Sequence, residues 1–210
     1  MQLVLASSSP RRQELLALLG LPFEVCPSNF HEQLTAGLVP LEQVRHFARE
    51  KARAVSRERS HDLILGSDTV IELDGRLLGK PQDLTEARTM LACLAGRSHL
   101  VHTAVALCHQ ERGTDIVDVA TTTVRMKANE GQRYECYLAT GESLDKAGAY
   151  AIQGEGGDLV AGIDGDYTTV VGLPLRLVAQ MLKSAGCSLS VNIEELYLRK
   201  PYANWNQFAS

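Results

Sequence analysis

The sequence lacks an excess of positive charge and has few aromatic residues. Lysine and arginine number 21 against 25 aspartates and glutamates, which gives a net charge of −4, and only 5% of the residues are aromatic. Proteins that bind nucleic acids need basic surfaces for the phosphates, and those that bind single strands add aromatic side chains for base stacking. We therefore expect no nucleic-acid partner, and any bound phosphate must be held by a local cluster of cations.

Motifs for zinc, disulfides and membranes are also missing. The five cysteines are scattered without a Cys-x-x-Cys pair, and the six histidines form no His-Glu-x-x-His motif. No apolar run is long enough to span a membrane, and the first residues lack the pattern of a signal peptide. We therefore predict a cytoplasmic protein with no membrane partner. Its 210 residues allow one large domain or two lobes around a buried core.

The segment LASSSPRRQELL, near the start of the chain, combines the parts of an anion site. An apolar strand precedes Ser9, a good helix N-cap, and Pro10, which suits the first helical position, so Arg11 and Arg12 fall in the first turn. That turn is the positive end of the helix dipole, which favours anions and disfavours cations. The two guanidinium groups and the neighbouring serine hydroxyls therefore predict a phosphate site. The alternative is that both arginines face solvent or pair with acidic neighbours.

A long helix is predicted at residues 41–59, where apolar side chains recur with a period of 3.6 residues. Lys51 lies inside this apolar stripe. A lysine in such a place either extends to water at the edge of a core or faces a cleft and binds an anion there. The helix alone does not decide between these two interpretations.

Asp68 interrupts two strand-like runs, 63–65 and 70–73, and the DG pair that follows predicts a hairpin. A carboxylate among aliphatic side chains costs several kcal/mol unless it is paired, hydrogen-bonded or bound to a metal. We therefore expect a functional aspartate at a strand end, although it could simply cap a turn. Lys80 follows in a constrained loop, where a surface lysine is the simpler interpretation.

The rest of the chain alternates predicted helices and strands, which favours an α/β fold with a mixed sheet. No repeat or long linker divides it, and the segment after residue 187 has a helical pattern around NIEELYL. In chain order we predict a helix capped by Asp83, antiparallel strands at 98–109 and 115–127, a helix capped by Asn129 that buries Tyr134, Tyr137 and Leu138, a glycine-rich loop at 145–158 that holds Lys146 and Gln153, strands at 158–163 and 167–171, and a last helix from Pro174 to about residue 186.

Six short strings occur in a fixed order up to residue 175: LASSSPRRQELL, REKA, GSDTVI, GKP, DKAGAYAIQG and VVGLPL. Together they resemble the Maf family of nucleotide pyrophosphatases. The resemblance implies a single α/β domain over residues 1–187, with an elongated mixed β-sheet, flanking helices and two lobes around a central cleft, similar to inosine triphosphate pyrophosphatases. It does not extend to the C-terminal tail, residues 188–210, for which dimer contacts and disorder are both open.

The resemblance also implies a reaction. Members of this family hydrolyse a nucleoside triphosphate between the α and β phosphates with a divalent cation, for which we expect Mg²⁺ or Mn²⁺. Carried over residue by residue, the general base falls on Asp68, and the acidic residue on the metal side falls on Glu32. Asp68 either orients or deprotonates the attacking water or is itself a ligand of the metal ion, and the sequence leaves both roles open. We expect Asp68 to be ionised at neutral pH because cations surround it. The phosphate-binding positions fall on Ser8, Arg11, Arg12, Lys51 and Lys80, with Lys146 as a further candidate.

Base preference in this family is attributed to the positions that fall on Arg12, Thr69 and Gln153. This combination resembles the branch that acts on dTTP and UTP, and the amide of Gln153 offers the donor and the acceptor that the imide edge of thymine or uracil requires. The alternatives are the sister branch that prefers 7-methyl-GTP and a nucleotide-binding regulator of septum formation. House-cleaning of the nucleotide pool and control of cell division both fit, and a homodimer is left open.

Overall fold

The structure, a computed structural model, describes residues 1–35, 37–129 and 132–208, and this part of the chain contains a seven-stranded mixed sheet. The strands are β1 (Leu3–Leu5), β2 (Phe23–Val25), β3 (Leu63–Leu73), β4 (Arg76–Leu78), β5 (Ser98–His109), β6 (Thr114–Met126) and β7 (Val160–Asp164). They lie in the order β2-β1-β3-β5-β6-β7, and β4 pairs with β3 beyond the end of β1. β1 is parallel to both β2 and β3, whereas the other pairs are antiparallel.

Helices cover both faces of this sheet. They are α1 (Pro10–Ala17), α2 (Pro40–Glu58), α3 (Leu84–Leu94), α4 (Arg133–Ala139), α5 (Tyr167–Val171), α6 (Leu175–Ser184), α7 (Ile193–Arg199) and α8 (Ala203–Phe208). Proline begins α1 and α2, where its missing N–H costs no hydrogen bond. The Asp83 carboxylate accepts from the Glu86 N–H at 2.8 Å and caps α3, as the sequence predicts. The predicted fold class, a mixed α/β sheet with flanking helices, is confirmed.

β3 is one continuous strand and not the two runs, 63–65 and 70–73, that the sequence predicts. Asp68 therefore lies in the middle of a strand rather than at its end. The strand tolerates this carboxylate because Lys51 Nζ, on α2, lies 2.6 Å from Asp68 Oδ1 and gives the buried charge a partner. The DG pair forms the predicted hairpin, with both of its residues at positive φ.

Residues 167–171 form the helix α5, so the predicted strand at this place is wrong. Threonine and valine favour strands, but the residues that flank this segment on either side determine its conformation. The Asp166 carboxylate accepts from the Thr168 N–H at 2.8 Å, and Gly172 stops the helix with a φ of 116°. As a result, α5 directs backbone carbonyls toward the sheet instead of adding a strand to it.

The start of α4 also differs from the prediction. The described helix begins at Arg133 with Gln132 as its N-cap residue, so Asn129 is not the cap that the sequence predicts. The predicted inward side chains of α4 are buried. The predicted helix from Pro174 is confirmed as α6, but α7 and α8 follow it in the tail.

Side chains of β3 alternate between two hydrophobic cores. Leu65 and Ile71 belong to the larger core, which contains side chains of α1, α3, α4 and α6. Ile64 and Val70 belong to the smaller core, which lies under α2. Because successive side chains of a strand point to opposite faces, Asp68 faces α2, whereas its neighbour Thr69 faces the larger core.

The approach of α2 to the sheet depends on Gly66. A Cβ atom at this position would lie 2.5 Å from the backbone oxygen of Ala48 and 2.9 Å from the Cβ of Ala52. Only glycine lets the helix come so close. Lys51 lies between these two alanines in the same turn of α2, so this contact brings it beside Asp68.

One edge of β3 has no strand partner in its middle. β1 pairs with residues 63–65, and β4 pairs with residues 71–73 on the same side, so within the described chain residues 66–70 pair only with β5. Both faces of the strand are therefore accessible from one opening.

The C-terminal tail packs on the body of the protein. Trp205 and Phe208 of α8 and Leu196 of α7 are buried in the larger core. Trp205 lies against the Tyr167 ring of α5, with the ring centroids 5.5 Å apart. Among the described residues, no helix has the length and apolar character needed to cross a bilayer.

Candidate active site

A cleft of about 470 Å³ opens at the unpaired edge of β3. One side is formed by residues that follow β1 and β2, and the other by the loop after β4 and by residues 145–153. The Gly148 N–H donates to Gly79 O at 2.9 Å and joins the two segments of this second side. All the predicted site residues line the cleft: Ser8, Arg11, Arg12, Glu32, Lys51, Asp68, Thr69, Lys80 and Gln153.

On the α2 face of β3, two carboxylates share one ammonium group. Lys51 Nζ lies 2.6 Å from Asp68 Oδ1 and 2.5 Å from Glu32 Oε1. The Asp68 side chain is 7% exposed and that of Lys51 13%, whereas Glu32 is 42% exposed at the mouth of the cleft. Lys51 thus faces the cleft, and the two carboxylates converge on a position that suits a cation.

Burial and charge have opposite effects on the two carboxyl groups. Burial raises the pKa of Asp68 above its ordinary value, and the opposing effects of Lys51 and Arg12 do not offset it. The expectation that Asp68 is ionised at neutral pH considers only the neighbouring cations and stays a prediction. Burial also acts to raise the pKa of Glu32, but Lys51, Lys80 and Arg12 outweigh it, and the pKa of Glu32 lies below its ordinary value.

Arg12 is held by hydrogen bonds from three different nitrogen atoms. Nε donates to Gly172 O at 2.8 Å, Nη1 to Ser7 Oγ at 3.4 Å, and Nη2 to Thr69 Oγ1 at 3.2 Å. Burial lowers the pKa of Arg12, while Asp68 opposes this effect. An arginine stays charged at neutral pH in either case. Its position in the first turn of α1 therefore places a fixed positive charge in the cleft.

A chain of hydroxyl groups fixes the proton of Thr69. Thr103 Oγ1 lies 2.7 Å from the carbonyl oxygen of Thr169, which can only accept, so Thr103 donates its one proton there. Thr69 Oγ1 lies 2.9 Å from Thr103 Oγ1 and must then be the donor in that pair. Thr69 also accepts from Arg12. Its hydroxyl can therefore offer a ligand in the cleft only a lone pair.

The remaining predicted residues lie around the opening. Ser8 and Lys80 are exposed, and Arg11 is partly exposed beside them. Lys146 is mostly buried, and its ammonium group donates to Glu142 O at 2.8 Å and to the Asp145 carboxylate at 2.5 Å. Lys146 also lines the cleft, and its role as a further phosphate contact stays a prediction.

Sequence reasoning missed the groups that hold Arg12 and Thr69 in place. Thr103 stands in an ordinary strand, and Gly172 contributes a backbone carbonyl whose position depends on α5, which the sequence predicts as a strand. Ser67 Oγ also donates to Gly172 O, at 3.0 Å. Only the alternation of β3 could have indicated that Ser67 and Thr69 share a face.

Glu32 and Asp68 are the residues suited to hold a metal ion. Within the described ranges, no cluster of three or more histidine, cysteine or acidic side chains is arranged to bind one. Mg²⁺ needs only one or two protein carboxylates when phosphate oxygens and water complete its octahedral shell. Two carboxylates that converge on one cationic group fit that requirement.

Comparisons with known proteins agree with the motif resemblance. The family model for Maf-like proteins matches residues 2–185. A dTTP/UTP pyrophosphatase of Moorella thermoacetica is 50% identical over 88% of this chain and 95% of that protein. A dTTP/UTP pyrophosphatase of Symbiobacterium thermophilum is 47% identical over 88% of this chain and 94% of that protein. A nucleoside-triphosphatase (dITP/XTP pyrophosphatase) structure from Mycobacterium abscessus is a distant match, which covers 60% of this chain and 74% of that chain with 18% identity and a TM-score of 0.39.

Proposed function

The chain belongs to the Maf-like protein family, and we propose that it hydrolyses dTTP and UTP to the monophosphate and pyrophosphate. The observation that carries this proposal is the arrangement at β3. A buried carboxylate, Asp68, lies against Lys51 and close to Arg12, in a cleft whose rim carries further cations. A triphosphate has the negative charge that such a set of cations attracts.

In the mechanism that we propose, Asp68 is the general base. Its carboxylate accepts a proton from water while the water oxygen attacks the α phosphorus. The bond between this phosphorus and the oxygen that bridges to the β phosphate breaks, and pyrophosphate leaves with the bridging oxygen. The raised pKa of Asp68 supports this assignment, because a base is most effective when its pKa approaches the working pH.

The cations of the cleft stabilise the charge that develops on the leaving pyrophosphate. Arg11 and Arg12 lie in the first turn of α1, where the backbone N–H groups of a helix start also favour a bound anion. Lys80 lies on the opposite side of the cleft. Binding between these two sides places charge where the transition state needs it, which is the main catalytic effect in phosphoryl transfer.

We propose Mg²⁺ as the cofactor, held by Glu32 and Asp68 together with phosphate oxygens. Both carboxylates lie within hydrogen-bond distance of the same Lys51 ammonium group, so they are close enough to each other for one ion beside Lys51 to contact both. When bound, the ion supplies charge neutralisation at the phosphates.

Recognition of the base is assigned to the Thr69 face of β3 and to Gln153. The hydroxyl of Thr69 can only accept from a ligand, which suits the imide N–H of thymine or uracil. Cytosine presents an acceptor at the same ring position. The two groups that flank the imide N–H are carbonyl oxygens, which only accept, and the amide N–H of Gln153 supplies a donor for one of them. The two residues together therefore favour a pyrimidine with an imide edge.

We further propose a cytoplasmic protein that acts on the nucleotide pool. The five cysteines are free thiols, which persist in a reducing compartment. A homodimer is a prediction that sedimentation at several protein concentrations tests.

The experiment that tests the proposed function is product analysis with a panel of nucleoside triphosphates and Mg²⁺. Pyrophosphate and orthophosphate are measured separately for dTTP, UTP, CTP, GTP, ATP and 7-methyl-GTP. We expect pyrophosphate, fastest from dTTP and UTP, and no release after chelation of the metal. Fastest turnover of 7-methyl-GTP would favour the sister branch of the family, and tight binding without turnover would favour a regulatory protein.

A further inference from the structure

The tail of this chain reaches the turn that carries Gln153. Asn204, on α8, donates from Nδ2 to Ile152 O at 2.8 Å and to Gly154 O at 3.3 Å. These two carbonyl groups belong to the residues on either side of Gln153. One side chain of the tail thus holds the backbone both before and after the residue that we assign to base recognition.

The turn is shaped to receive this side chain. Gly154 has a φ of +69°, and a Cβ atom at Gly157 would lie only 2.5 Å from Asn204 Nδ2. Both positions therefore require glycine, one for its backbone conformation and one for the close approach of the amide. Because carbonyl oxygens only accept, the two protons of the Asn204 amide match the two carbonyl groups.

Asn204 itself is held in place by its neighbour in the chain. Trp205 is 1% exposed and stacks on Tyr167 with an interplanar angle of 14°. The ring of Tyr197, on α7, meets it edge to face with the centroids 4.9 Å apart. Aromatic pairs of this kind fix the orientation of a short helix that could not be stable alone. The amide of Asn204 is therefore presented at a defined position.

We infer that Asn204 is a positioning residue for base recognition, and that the tail fixes Gln153 against the cleft by holding both neighbouring carbonyl groups. This inference rests on the proposed function, because it assigns Asn204 a role through Gln153. The family model ends at residue 185, so the contact is contributed by a part of this chain that lies beyond the matched region.

The test is a double-mutant cycle on the full chain with UTP and CTP as substrates. These nucleotides have the same size and differ at the base edge. Asn204→Asp keeps the shape of the side chain but turns an oxygen toward at least one carbonyl group. We expect it to lower the UTP-to-CTP ratio of kcat/KM by about ten-fold, the effect of about one hydrogen bond. Gln153→Ala should lower the ratio by a similar factor, and the double variant should show no further loss.

The matched control is Asn206→Asp, the same substitution in the same helix. Asn206 donates to Lys200 O within the tail at 3.0 Å and does not reach residues 152–154. We expect it to leave the UTP-to-CTP ratio unchanged. If Asn204→Asp fails to fold, Asn204→Ala removes both amide donors without adding a charge, and the same loss of the ratio is expected.

Two results would overturn the inference while leaving the proposed function intact. One is a loss of melting temperature or of kcat for both nucleotides with an unchanged ratio, which would make Asn204 a structural residue only. The other is a double variant whose loss of the UTP-to-CTP ratio equals the product of the two single losses. Such a product would show that the two residues act independently, whereas a residue that acts through another does not. An unchanged ratio in Gln153→Ala would overturn the roles of both residues. Absence of pyrophosphate release from the wild type would instead refute the proposed function.

Discussion

The two faces of β3 have different polar environments in the cleft, although the residues that face them, Asp68 and Thr69, are adjacent in the chain. Asp68 faces α2 and lies in a charged group with Lys51 and Glu32, whereas Thr69 faces the larger core and lies in a chain of hydroxyl groups with Thr103. Strand alternation separates these environments by one residue. Because the edge of β3 is unpaired here, a single ligand can contact both faces. One strand can thus place the chemistry on one face and the recognition on the other.

Asp68→Asn removes the proposed base from one face of β3 and leaves the face that carries Thr69, which we assign to base recognition, unchanged. We expect a fall in kcat of about 10²- to 10⁴-fold, the usual contribution of a general base, with nucleotide ranking preserved in any residual activity. Burial raises the pKa of Asp68, so the folded protein binds a proton more tightly than the unfolded chain, and the ionised carboxylate opposes folding as pH rises above the unfolded pKa. The melting temperature at neutral pH should therefore not fall.

The matched control for this variant is Asp164→Asn, which changes an exposed carboxylate outside the cleft. Its kcat should equal that of the wild type. Retention of one tenth of the wild-type kcat by Asp68→Asn would refute the assignment of the base.

Lys51→Met tests the role of the α2 face of β3 through the pH dependence of kcat/KM. Activity should rise with pH as Asp68 loses its proton, and among the influences that lower the pKa of Asp68, the charge of Lys51 is the largest. Without that charge, the rising limb of kcat/KM against pH should move to higher pH. An unmoved limb would contradict the pairing, and a large loss of melting temperature would make Lys51 a core-edge residue.

Arg12→Lys tests the link between the two faces. Lysine keeps the charge but cannot donate from three positions in a plane to Gly172, Ser7 and Thr69. We expect kcat/KM for UTP to fall by about ten-fold or more, since at least one hydrogen bond to a charged group is lost. Arg11→Lys is the comparison, with a smaller fall. Equal effects of the two changes would mean that only charge matters at this end of α1.

Thr103→Val should produce the smallest effect and acts on the recognition face alone. The change removes the hydroxyl that takes the proton of Thr69, so Thr69 could then donate to a ligand as well as accept. We expect the UTP-to-CTP ratio of kcat/KM to fall by about three-fold, within the range for one neutral hydrogen bond, and kcat for UTP to change little. Thr122→Val, a buried threonine on β6, controls for lost stability. A ratio that stays constant would contradict the fixed hydroxyl chain.

The sequence predicts the sheet and the positions of the charged residues well, because these depend on local patterns. Strand alternation, the proline at the start of α1 and the motif at Asp83 each act over a few residues. The apolar stripe around Lys51 shows where this lysine lies, but only the close approach of α2 at Gly66 shows that it faces the cleft.

The groups that hold the site in place depend on contacts that are distant in sequence. Arg12 contacts Gly172 and Thr69, which are 160 and 57 residues away along the chain. Residues 167–171 are predicted as a strand because threonine and valine favour strands, but the helix cap formed by Asp166 has the larger effect on this segment. Likewise, no pattern in the tail indicates that Asn204 reaches a turn 50 and 52 residues earlier.

The most direct test of the central claim is hydrolysis of UTP in water enriched in ¹⁸O, followed by mass spectrometry of both products. Attack on the α phosphorus, with Asp68 as base, predicts that the label enters UMP and that pyrophosphate stays unlabelled. Label in the pyrophosphate would show attack on the β phosphorus and would contradict the proposed geometry of the cleft.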